Sequence, residues 1–176
     1  MSDDAVPPAA RPQLAAVKQA LGSVPNLFRT VAHSPAALAG YLGLNAALAG
    51  GALDKATRER IALVVAQRNG CAYCLAAHSY LGRHVAGLDE AEIAANRSGR
   101  SDDPAAAAAV AFALRLVEER GHVSDADLAA VRAAGFDDAA VIEIVLHVAL
   151  NTLTNYVNEV AQTVVDFPAA PALRAA

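Results

Sequence analysis

The chain has 176 residues, a length that suits one domain with its own core, and a net charge of -4. Its hydrophobic fraction of 55% is rich in alanine and holds no Trp and only 5% aromatic residues, which points to helices packed closely through small side chains and away from a β-rich fold. The basic residues are scattered, so no patch offers the electrostatic footprint that a nucleic-acid backbone requires, and nucleic acid is excluded as a partner.

The opening "MSDDAVPPAARP" carries acids and prolines where an export signal needs a basic and then an apolar segment. Residues 1–12 therefore read as an untargeted, disordered lead-in, and the expected location is cytoplasmic. The apolar runs "IALVVA" and "PAAAAAVAFAL" fall well short of the roughly 20 residues that span a bilayer, so no membrane association is expected.

Caps and breakers then mark out about eight helices in one all-α domain over residues 13–168, with no period-two alternation and no linker. Gln13 to Leu21 stops at Gly22, and Pro25 to Ala32 follows. Ser34 caps a helix that opens with Pro35 and runs to about Leu48. Asp54 caps the next, which reaches Arg68. Asn69-Gly70 is a turn signal, since both residues tolerate positive φ.

A further helix starts at or near Cys71 and ends before Gly87, completing a hairpin. Asp89 to Arg97, Pro104 to Glu119 and a Ser124/Asp127 capping box ending at Gly135 come next. The longest helix runs from Asp137 to about Val165, and Pro168 and Pro171 close ordered structure before a flexible tail at 169–176. The near-continuous apolar surfaces of "IALVVAQ" and "VIEIVLHVAL" imply burial on more than one side.

The chemistry concentrates in "GCAYCLAAHSY". On a helix, Cys71, Cys74 and His78 stand at i, i+3 and i+7 and share one stripe. A thiol needs a thiolate to react, and both a helix N-terminus and a neighbouring imidazole favour that charge. Folding the hairpin brings Glu59 alongside residues near 78. A carboxylate on that largely apolar face needs a partner, and His78 is the nearest candidate.

Three readings of the pair stay open at this level. The cysteines are buried core residues, as small apolar-like side chains on an Ala-rich helix often are. They hold zinc with His78 and Glu59 or water. Or they are a redox dithiol with Glu59 orienting the imidazole. Covalent haem attachment is excluded, because Leu75 stands where a His would have to follow the second Cys directly.

Glu59, eleven intervening residues, Cys71-x-x-Cys74 and His78, with Tyr73 between the cysteines, resemble the signature of the alkylhydroperoxidase AhpD-like branch of the carboxymuconolactone decarboxylase family. The segments 24–48 and 151–168 are similar to those of its peroxidase-related members. The resemblance implies an AhpD-like helical bundle and a homo-oligomer, trimer or hexamer. It implies a thiol-dependent peroxidase that needs no cofactor and takes a hydroperoxide and an external dithiol or protein reductant. In it Cys74 would be the peroxidatic thiol, Cys71 the resolving one, and His78 and Glu59 the proton relay. A redox sensor with little turnover is the alternative.

Other polar groups carry weaker expectations. His147 reads as a core or interface histidine. Asn151, Thr154, Asn155 and Asn158 form a polar stripe that is either solvated or bonded to the hairpin or a neighbouring subunit. Arg58 and Arg60 read as a solvated face, and His33, His84 and His122 carry no chemical argument.

Overall fold

The computed structural model describes residues 6–173. Among these residues nine α-helices follow a short 3-10 turn at Pro8–Ala10, one for each segment that the caps and breakers mark out although their round count is about eight: α1 Arg11–Leu21, α2 Asn26–Val31, α3 Pro35–Ala49, α4 Lys55–Asn69, α5 Ala72–His84, α6 Glu90–Arg97, α7 Pro104–Glu118, α8 Asp125–Ala133 and α9 Asp138–Ala161. No strand occurs among the described residues.

The caps at Ser34, Asp54, Ser124 and Asp137 fall where the sequence signals them, and Asp89 and Asp103 cap two more helices. Ser34, Asp54, Asp89, Asp103, Ser124 and Asp137 each accept from the backbone N–H three residues on. Ser124 and Asp127 close a full capping box.

Helix α4 is the centre, packed by α5, α6, α7 and α9. Six consecutive residues, Ile61 to Ala66, are buried, which leaves no solvent face over that stretch and accounts for the absence of a polar alternation there. Ile61, Val64 and Val65 join Val110, Ala113, Ile144 and Val148 in one core cluster, while Ala66 joins Leu27, Leu38, Tyr73 and both cysteines in a second. The loop before α4 is clamped from α9: the Glu143 carboxylate accepts from Ala52 N–H at 2.7 Å and Leu53 N–H at 3.2 Å. Gly51 leaves room for this clamp, since a Cβ there would meet the Glu143 carboxylate and push it aside.

Three expectations are corrected. The proposed disordered lead-in is ordered from Val6, whose side chain, with that of Ala10, packs into the second core cluster; residues 1–5 lie outside the described residues. Helix α9 stops at Ala161 rather than near Val165, because Gln162 takes a left-handed conformation at φ 48°. The chain beyond it still packs: Phe167 stacks edge-on against Tyr73, and Pro171, within the expected flexible tail, accepts from Arg97 Nη1 at 2.6 Å, with 174–176 outside the described residues.

Arg60 is also not on a solvated face. Its Nε bonds Glu92 on α6 at 2.7 Å, with both side chains mostly buried. Helix α9 itself is long and apolar enough to cross a membrane by length and composition. Its inner face, however, carries His147, Asn151, Thr154, Asn155 and Asn158 into the protein, and such a face belongs to a core helix.

Candidate active site

The turn that aims the cysteines is set by Gly70, which ends α4 at φ 71° and lets the chain reverse directly into α5. Cys71 is the N-cap of α5, its sulfur accepting from Cys74 N–H at 3.4 Å, and Cys74 lies in the first turn. Both are free thiols and both are buried. Tyr73, between them, is a strut: its hydroxyl accepts from Leu27 N–H at 3.1 Å and fixes α2 against α5.

The hairpin brings Glu59 to His78, as the sequence suggests, with Oε2 at 2.8 Å from Nδ1. Burial works against a charged imidazole, but the adjacent Glu59 charge and hydrogen bond outweigh it and hold the His78 pKa above its ordinary value. No direct hydrogen bond joins His78 to the Cys74 sulfur; the two interact through charge, across the cavity they both line.

The two thiols are driven apart. A hydrogen bond from Cys71 is the largest influence lowering the Cys74 pKa to about 6, working against burial, and the His78 charge and the amides of Asn158 and Asn155 add to it. Cys71 is pushed up, first by the same hydrogen bond and then by burial. The sequence leaves the roles of the two cysteines to a resemblance; here the Asn158 amide at 3.2 Å from the Cys74 sulfur and the nearby His78 charge favour the thiolate form at Cys74.

The polar stripe on α9 is buried and bonded to the hairpin. Asn158 Nδ2 donates to Cys74 Sγ at 3.2 Å, and Asn155 Oδ1 accepts from Asn69 Nδ2, at the turn, at 2.8 Å. Asn151 and Thr154 bond within their own helix. Tyr41, Lys55 and Arg58 were not singled out by the sequence as site residues, yet all line the cavity of about 360 Å³ beside Cys74, Glu59 and His78. Burial and the nearby Cys74 and Glu59 charges push the Tyr41 pKa up to about 12. His147 also lines this cavity, held neutral at ordinary pH because burial and Arg58 lower its pKa to about 4.

A second cavity of about 330 Å³ lies among Asp54, Asp103 and Asp137, but neither a Cys nor a His lines it and those carboxylates cap helices. Among the described residues no three His, Cys, Asp or Glu side chains are grouped to hold a metal ion. Glu59 faces the imidazole, not the sulfurs.

Fold and site together define an all-helical protein with a dithiol at a helix start, backed by a His–Glu pair. The sequence pattern of the carboxymuconolactone decarboxylase family matches residues 35–119. A peroxidase-related protein from Ralstonia eutropha JMP134, with an alkylhydroperoxidase AhpD core, is 30% identical over 91% of this chain and 86% of its own, with TM-score 0.79. The chain belongs to this family, among its AhpD-like members.

Two more distant structures share the fold. A peroxidase-related protein from Silicibacter sp. TM1040 is 24% identical over 96% of this chain and 91% of its own, with TM-score 0.81. The debrominase Bmp8, in complex with 2,3,4-tribromopyrrole, is 21% identical over 94% and 89%, with TM-score 0.77. Among curated proteins, none matches significantly.

Proposed function

We propose that the protein is a cytoplasmic thiol-dependent peroxidase. The observation that supports this most is the geometry: two free thiols at the start of α5, the Asn158 amide donating to the Cys74 sulfur at 3.2 Å, and the Glu59–His78 pair lining the same cavity as Cys74. The Cys74 thiolate attacks the terminal oxygen of a hydroperoxide, the O–O bond breaks, and the leaving alkoxide takes a proton from His78, whose charge Glu59 supports. Cys74 becomes a sulfenic acid. Cys71 then attacks the Cys74 sulfur, an S–S bond forms, and the hydroxyl leaves as water with the proton released by Cys71. An external dithiol supplies two electrons to reopen the disulfide.

His78 and Cys74 line one cavity with no hydrogen bond between them, so a peroxide bound there can reach both side chains. The test is consumption of an organic hydroperoxide with excess dithiol: wild type turns over and Cys74→Ser does not, whereas equal rates would remove the assignment. Fast disulfide closure with negligible steady turnover would instead favour a sensor.

A second substrate class is proposed as a control, because a debrominase shares the fold. A dithiol's two electrons would also replace a ring C–Br by C–H, releasing bromide. Bromide release from a brominated pyrrole is the control that separates the two chemistries.

We also propose a homo-oligomer. Ile142, Leu153, Tyr156 and Val160 stand exposed along the outer face of α9, opposite its buried polar stripe.

A further inference from the structure

The cavity at Cys74 is bounded by apolar side chains, among them Leu21, Leu27, Ala62 and Leu150, yet two cations, Lys55 and Arg58, also line it. Their charges are not consumed by the fold. The Arg58 guanidinium donates one hydrogen bond, to the Leu48 carbonyl at 3.1 Å, and the exposed Lys55 side chain has neither a hydrogen bond nor an ion pair among the described residues. The neighbouring carboxylates are engaged elsewhere: Glu59 by His78, and Glu143 by the N–H groups of Ala52 and Leu53.

Both cations stand near the start of α4, where the helix dipole is positive and a basic side chain is disfavoured. Helix stability therefore gives no reason for them. The cavity wall also holds a polar group awaiting a partner: His147 is 5% exposed and its Nε2 makes no hydrogen bond. Arg58 is the charge that most opposes protonation of this imidazole, so its field reaches the interior of the cavity.

We propose that this cavity takes an organic anion, a hydroperoxide whose carbon skeleton lies on the apolar wall and whose carboxylate is held by Arg58 and Lys55. This rests on the peroxidase reading above and names its substrate class. Apolar wall, cationic patch and nucleophile share one space of about 360 Å³, within the range of small-molecule sites. A neutral hydroperoxide would engage neither cation, leaving Arg58 to the Leu48 carbonyl and the exposed Lys55 to water, and a small inorganic peroxide would leave the wall empty.

Two measurements on the full-length protein test it. The first needs no turnover: protection of Cys74 from iodoacetamide by octanoate, compared with octanol. Octanoate should protect at about ten-fold lower concentration, as a charge-assisted contact implies, with the advantage shrinking in high salt. The second compares kcat/KM for a fatty-acid hydroperoxide and its methyl ester. The acid should be favoured by about ten-fold, and Arg58→Gln with Lys55→Gln should bring both ratios near one, while Arg58→Lys with Lys55 intact keeps them.

Equal protection by octanoate and octanol, or a preference that survives loss of both cations, overturns the anion site. Protection by octanoate without any peroxide turnover upholds the anion site and removes the peroxidase reading. Turnover with no acid preference does the reverse.

Discussion

The side-chain amide of Asn158, on α9, donates to the sulfur of Cys74, on α5, at 3.2 Å across 84 positions of sequence. A donor aimed at sulfur favours the thiolate, and in a buried site such a bond is stronger than in water. Replacing Asn158 by Leu should therefore raise the Cys74 pKa by about one unit, the smaller end of what a hydrogen bond to a charged group supplies. The pH dependence of alkylation by iodoacetamide reads this directly, and an unchanged midpoint would remove Asn158 from the site.

Glu59→Gln keeps a hydrogen-bonding group beside His78 but removes the charge that holds the imidazolium. The His78 pKa should fall, and with less positive charge near the sulfur the Cys74 pKa should rise. In the wild type the alkylation rate should rise through a midpoint near pH 6, set by the Cys74 pKa of about 6. In Glu59→Gln that midpoint moves upward while the melting temperature changes little. A midpoint that stays in place would show that the pair is not coupled to the thiol.

Away from the site, Glu92 ties α4 to α6 and to the loop before α7, accepting from Arg60, Asn96, the Ser101 hydroxyl and Asp102 N–H. Burial opposes its charge, but these donors prevail and hold its pKa at about 2. A carboxyl depressed in the folded state contributes stability that is full above its unfolded pKa, near 4.5, and is lost as pH falls toward 2. Wild type should lose about 3 kcal/mol over that window on this account. Denaturant unfolding at a series of pH values checks it, and Glu92→Gln should be less stable at neutral pH with a flatter acid limb.

Tyr156 and Val160 are the most exposed large apolar residues on α9, at 61% and 87%. Tyr156→Glu with Val160→Asp should shift the protein to a smaller species in light scattering if this face joins subunits. A wild type that already behaves as a monomer would contradict the assembly.

Much of the site was legible because its signals are local. The cap at Asp54, the Asn69-Gly70 turn and the three-residue spacing of the cysteines fix the hairpin, and the hairpin brings Glu59 to His78 without help from the rest of the fold. The α9 stripe was visible as a pattern, but whether it faced water or protein depends on packing between distant helices. Arg60 misled for the same reason: its partner Glu92 is 32 residues away on α6. Lys55 and Arg58 look like ordinary surface cations until the cavity beside them is seen. At the N-terminus, proline-rich composition suggested disorder, whereas Pro8 begins a 3-10 turn and Val6 is buried.

The central claim is that Cys74 attacks the peroxide and Cys71 resolves it, and intact mass after one equivalent of hydroperoxide tests it most directly. Reduced wild type should lose two hydrogens as the disulfide closes, Cys71→Ser should gain one oxygen as a sulfenic acid, and Cys74→Ser should be unchanged. Oxygen gained by Cys74→Ser, with Cys71→Ser inert, would contradict the account.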